Sequence, residues 1–136
     1  MDKALTKWSD DLRTEIIWQD YQHQELLQNM NSLHQSILEK RSGEQVSKTV
    51  AFLDFYVKDH FGLEERYMET FQYPELEAHS REHVMFAGKM ERFKSTHASQ
   101  GGTMAAMKLC FDLNEWFANH IKTSDKKLGL FLRQKI

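Results

Sequence analysis

Seven histidines occur in 136 residues, and some recur at spacings that could build a metal site. His60 and Glu64 stand four residues apart, and so do His79 and His83. Four residues turn an α-helix through about 400°, so each pair shares one face about one turn apart. Two donors on one rigid face can point at the same metal ion. His23 lies upstream of both pairs, His120 lies downstream, and Asp125 follows His120 by five residues. Each signal is weak alone, because an i,i+4 His/Glu pair is a common surface contact. Joint occurrence on four separate helices is much harder to dismiss.

The breakers in the chain supply those four helices. Residues 1–13 are polar apart from Trp8 and read as an N-terminal arm. Apolar residues at three- and four-residue spacing (Leu26, Met30, Leu33, Ile37) mark a helix from about Thr14 to Arg41, ended by Ser42-Gly43. A second helix runs from about Glu44 to Phe71, with Val50, Leu53, Val57 and Phe61 on one face. Tyr73-Pro74 breaks the chain, and proline suits the first turn of the next helix. That third helix runs from about Pro74 to Ala98 and stops at Gly101-Gly102. The fourth spans about Thr103 to Lys122, with Asp125 in the turn beyond it. A short C-terminal segment carries Leu128, Leu130, Phe131 and Leu132. One proline and six glycines suit long helices. Residues 1–136 are therefore expected to form one all-α domain. Its architecture is an antiparallel up-and-down four-helix bundle with an N-terminal arm and a short C-terminal helix.

Spacing also separates the kinds of metal site. Ferritin-like di-iron bundles use two Glu-x-x-His motifs. Three residues before the histidines the only acidic residue is Asp20, ahead of His23, and no glutamate occurs there. The His-Glu-x-x-His zinc protease motif is absent as well. An imidazole-rich set with two carboxylates suits iron, zinc or copper better than magnesium or calcium. Cys110 is the only cysteine, so no internal disulfide or CxxC site can form. Between Leu109 and Phe111 it reads as a small buried apolar residue. Eighteen basic against twenty acidic residues leave a net charge of -2, which gives no electrostatic reason to expect nucleic acid or an anionic membrane. No apolar stretch reaches bilayer or signal-peptide length, so a cytoplasmic location is the default expectation.

The run His60-Phe61-Gly62-Leu63-Glu64-Glu65-Arg66-Tyr67-Met68, then Tyr73-Pro74, then His79-x-x-x-His83-x-x-Phe86, resembles the signature of the bacterial hemerythrin family. Trp116-Phe117-Ala118-Asn119-His120-Ile121-Lys122-Thr123-Ser124-Asp125 is similar to its closing motif, and Asp20-Tyr21-Gln22-His23-Gln24-Glu25-Leu26 to its opening one. The likeness covers nearly the whole chain and fills every ligand position.

The resemblance implies a cofactor of two iron ions joined by an oxo or hydroxo group. It assigns His79, His83 and His120 to one iron and His23 and His60 to the other, with Glu64 and Asp125 bridging. The first iron would then be six-coordinate and the second would keep one position open for dioxygen, bound end-on. Azide and similar small anions are the expected ligands of the oxidised form. Leu26, Phe61, Trp116 and Ile121 match positions that line the oxygen pocket. Gln19 departs from an apolar position, Leu128 replaces a frequent tyrosine, and Ser124 puts a small polar group beside Asp125. These changes point to a wetter pocket than a dedicated carrier needs. His34 and His97 fit no ligand position and read as surface residues or hydrogen-bond partners outside the ligand set.

The resulting expectation is an oxygen- or redox-sensing domain of a larger signalling protein, with a stand-alone oxygen carrier or storage protein as the alternative. The family fuses such domains to chemotaxis receptors and diguanylate cyclases, so a C-terminal output domain is an expected partner. No catalytic residue is assigned, because no general acid or base stands beside the site. Catalysis would belong to a fused enzyme.

Overall fold

The computed structural model describes residues 8–40, 42–96 and 102–136. Helix α1 spans Ile17–Leu38, α2 Ser42–Tyr56, α3 Gly62–Thr70, α4 Leu76–Thr96, α5 Gly102–His120 and α6 Lys126–Arg133. Two π-helical turns, Val57–Phe61 and Ile121–Asp125, join α2 to α3 and α5 to α6 without a break. The six helices therefore form four rods. Among the described residues there is no strand, and no helix is long and apolar enough to cross a membrane. α1 packs on α2 and α5, α2 on α5, and α4 on α3 and α5, which closes the all-α bundle.

Several boundaries differ from the sequence expectation. α1 ends at Leu38, before Ser42-Gly43, and Lys40 takes the left-handed conformation (φ 61°) that glycine usually fills. Ser42-Gly43 opens α2 instead. α3 closes in a Schellman arrangement. Gln72 is left-handed (φ 56°), its N–H reaches the Glu69 carbonyl at 3.2 Å, and the Tyr73 N–H reaches that of Met68 at 2.8 Å. Pro74 lies in the turn ahead of α4, which begins at Leu76. The fourth rod continues through Asp125 where a turn was expected.

The arm holds more core than Trp8 alone. Leu12 ends a 3-10 turn (Asp10–Leu12) and is wholly buried, while Trp8 packs half-buried on the same cluster. Asp20, in the first turn of α1, accepts the backbone N–H groups of Thr14 at 2.8 Å and Glu15 at 3.0 Å and so fastens the arm to the bundle. The α6 backbone comes close to the arm at Gly129. A Cβ there would stand 2.8 Å from Thr14 Cβ and 3.1 Å from the Thr14 carbonyl oxygen. Both Thr14 and Gly129 are buried, so Gly129→Ala should cost about 1–3 kcal/mol by overpacking. A lowered melting temperature with iron content kept is the expected result. An unchanged melting temperature would show that the contact relaxes freely.

Two apolar clusters fill the interior. The larger contains Leu26, Met30, Leu53, Phe61, Phe86, Leu113, Phe117 and Ile121. The smaller contains Ile16, Met68, Tyr73, Leu128 and Leu132. Along every rod a polar stretch separates the two. His23 lies between Ile16 and Leu26, Glu64 between Phe61 and Met68, His79 and His83 between Tyr73 and Phe86, and Asp125 between Ile121 and Leu128. The bundle thus has a buried polar layer with apolar packing at both ends. Cys110 is buried in the larger cluster, as its neighbours suggested.

Candidate metal centre

All seven sequence-predicted polar residues meet in that layer. Two groups of ligand atoms each lie within 4.8 Å of one another: Glu64, His79, His83, His120 and Asp125 form one, and His23, His60, Glu64 and Asp125 the other. Every member is at most 3% exposed, so none of these polar groups has water to rely on. Glu64 and Asp125 belong to both groups, and their oxygens divide between them. Glu64 Oε1 faces His79 Nε2 at 3.1 Å and His83 Nε2 at 3.0 Å, whereas Oε2 faces His60 Nε2 at 3.0 Å. Asp125 Oδ1 faces His79 Nε2 at 3.1 Å and His120 Nε2 at 3.0 Å, whereas Oδ2 faces His23 Nε2 at 2.7 Å.

The π turns make this convergence possible. Residues five apart are rotated about 140° from each other on an ordinary α-helix but come into line across an i→i+5 turn. Ile121–Asp125 therefore returns Asp125 to the face of His120. The extra residue also turns two consecutive side chains inward on each rod, His60 with Phe61 and His120 with Ile121, all of them buried.

Three of the histidines are oriented from behind. The Nδ1–H of His60 donates to Gln22 Oε1, that of His83 to Glu65 Oε2 at 3.0 Å, and that of His120 to Glu82 Oε1 at 2.6 Å. Such partners fix the ring and leave the Nε2 lone pair aimed at the centre. Gln19, wholly buried, donates its Nε2–H to Glu64 Oε2 at 2.9 Å. Ser124 spends its hydroxyl on Glu82, 2.8 Å from either carboxylate oxygen. The sequence reading missed Gln22, Glu65 and Glu82. Each sits one residue from a member of the centre on its own helix and reaches a histidine on a neighbouring rod.

The donor chemistry fits cations. The Nε2 atoms of His23, His60, His83 and His120 and both Asp125 oxygens are buried without a well-formed hydrogen bond among the described residues, although they lie close to one another. Lone pairs that converge at short distance without hydrogen-bond angles are what a metal ion satisfies. Charge agrees with geometry. Burial alone would push the Glu64 and Asp125 carboxyls up, but the surrounding histidines outweigh it and hold both well below the usual carboxylate range. Burial would likewise lower His79 and His120. Asp125 and Glu64, with Glu82 acting on His120 too, instead raise them to about 9 and about 10. Among the described residues, every ion-pair partner of the two carboxylates is a histidine. The layer calls for positive charge, and an N/O donor set without thiolate suits iron, zinc or copper.

Residues 14–131 match the model of the Hemerythrin HHE cation binding domain. The chain belongs to the hemerythrin family. It is 32% identical over 126 residues to the bacteriohemerythrin of Stenotrophomonas maltophilia (strain R551-3), covering 90% of this chain and 78% of that one. It is 30% identical over 118 residues to the bacteriohemerythrin of Pseudomonas aeruginosa (strain LESB58), covering 87% and 75%. The myohemerythrin of Theromyzon tessulatum is 27% identical over 105 residues, with 77% and 81% covered. As a hemerythrin the protein is a di-iron, dioxygen-binding protein, and its buried His/Glu/Asp layer is where metal can sit.

Around this hemerythrin centre, Leu26, Phe61 and Ile121 are at most 3% exposed and share the large cluster, with Trp116 packed half-buried against it. Aromatic rings lie flat on three histidines: Phe61 on His83 at 3.8 Å, Trp116 on His120 at 4.3 Å and Tyr56 on His60 at 4.6 Å between centroids. Tyr73, Glu75, His79, Glu82, Ser124 and Lys127 line a surface cleft of about 260 Å³. Ser124 thus borders a solvent cleft on the His79 side, rather than opening into the apolar wall. His34 is half-buried and belongs to neither group, and His97 lies outside the described residues.

Proposed function

We propose that His79, His83 and His120 hold one iron, that His23 and His60 hold the other, and that Glu64 and Asp125 bridge them beside an oxo or hydroxo group. The observation that carries this reading is the division of carboxylate oxygens, Oε1 and Oδ1 toward three imidazoles and Oε2 and Oδ2 toward two. Three imidazoles, two carboxylate oxygens and the bridge would give one iron six donors, whereas two imidazoles with the same three would give the other five and leave it room for a small ligand. When bound, the iron pair would supply the electrons and the open position that dioxygen needs, and azide would be the matching ligand of the oxidised protein. The chain does the rest. Gln22, Glu65 and Glu82 hold the rings in place, and Leu26, Phe61, Ile121 and Trp116 keep water from the ligand.

Sensing is the role that the surroundings favour over storage. The cleft bordered by Ser124 and Glu82 reaches His79, which gives protons a short path to the three-histidine side and so to the bridging group, through which an oxygen adduct on the other iron would be lost. Asp125 is also the residue from which α6 starts, so a change at the metals bears directly on that helix. Leu128 and Leu132 anchor α6 in the smaller cluster. An output domain fused beyond α6, for example a diguanylate cyclase, would read such a change. A signal must favour one state at the output surface to shift any equilibrium. Hydrogen exchange across Lys126–Ile136 is therefore expected to differ between diferrous and diferric protein. Identical exchange, with an oxygen adduct stable for many minutes, would defeat sensing and favour a carrier.

A further inference from the structure

Of the three aromatic rings that cover histidines, only the one on the two-histidine side bears a hydroxyl. We propose that Tyr56 is the hydrogen-bond donor to the small ligand held on the His23/His60 side of the centre. Tyr56 is 3% exposed, and among the described residues its hydroxyl has no hydrogen-bond partner. The ring stacks on His60 at 4.6 Å and 23°. Its other ring neighbours are Phe52, Phe61 and Phe117, with centroids at 5.5, 6.1 and 5.8 Å. A phenylalanine would pack against this wall equally well and leave no polar atom orphaned, so packing does not account for the oxygen. By contrast, the lids over His83 and His120 are Phe61 and Trp116, and neither carries a hydroxyl.

This inference rests on the open position lying at the His23/His60 iron. The test is azide binding to the oxidised, iron-loaded protein, wild type beside Tyr56→Phe. A buried hydrogen bond to an anion is worth about tenfold to a hundredfold in affinity, so the variant should bind azide that much more weakly. Its iron content and melting temperature should match the wild type, because the hydroxyl has no hydrogen-bond partner among the described residues. The bound azide stretch should move in D₂O for the wild type and stay put for Tyr56→Phe. Equal azide affinity in the two proteins would overturn the role of Tyr56 and leave the open position standing. Loss of iron or of stability in Tyr56→Phe would show a structural role and overturn it likewise. A wild type that ignores azide would remove the open position and this inference with it.

Discussion

Stripping both irons should lower the melting temperature by at least about 15 °C, the largest effect expected of any single treatment. Without cations, four imidazole nitrogens and both oxygens of Asp125 stay buried with only each other's charge and no well-formed hydrogen bond among the described residues. Each such group costs about 1–3 kcal/mol. A metal present at about a thousandfold above its dissociation constant returns about 4 kcal/mol to the folded state. For a domain of this size one kcal/mol is worth about 4 °C. The loss should be local in origin, since the large apolar cluster of Leu26, Met30, Leu53, Phe86 and Phe117 does not depend on the metal. Calorimetry of loaded and chelated protein measures it. Equal melting temperatures would mean that the polar layer is satisfied without metal.

Glu64→Ala should empty the centre, whereas His60→Ala should leave one iron behind. Glu64 belongs to both ligand groups, and each of its oxygens faces a different one. Removing it takes a donor from both metals and the charge that holds them together. Asp125→Ala should behave in the same way. His60 belongs to the smaller group alone, so its loss leaves His79, His83 and His120 with both carboxylates. Iron per chain should fall from about two to well below one in Glu64→Ala and to about one in His60→Ala. His79→Ala and His83→Ala should strip or strongly weaken the three-histidine site. Circular dichroism establishes that each variant is folded before metal is counted. Full iron in Glu64→Ala would refute the bridging role.

The centre was legible in the sequence because its pairs follow ordinary helical spacing. His60 with Glu64 and His79 with His83 share faces at i,i+4, and breakers place the sets on separate rods. Asp125 was legible as a residue but not as a position. Five residues after His120, ordinary helical geometry puts it on the wrong face, and a π turn leaves no residue type that betrays it. Its trace is the inward pair His120-Ile121, matched by His60-Phe61, which side-chain periodicity reads as irregular. The helix ends at Lys40 and Gln72 were hidden because neither is glycine. Gln22, Glu65 and Glu82 were hidden for a different reason. A residue next to a ligand is rotated about 100° from it, into the groove between helices, and its partner depends on which rod lies there. Only the packed bundle shows that Glu82 serves His120 and Gln22 serves His60.

The measurement that tests the two-iron centre most directly is Mössbauer spectroscopy of the oxidised protein loaded with ⁵⁷Fe, alongside iron determination per chain. Three imidazoles on one side and two on the other, joined through Glu64 and Asp125, predict about two irons per chain. They should be high-spin ferric and magnetically coupled into a diamagnetic ground state. One iron per chain, or two that behave as isolated paramagnetic ions, would contradict the bridged centre.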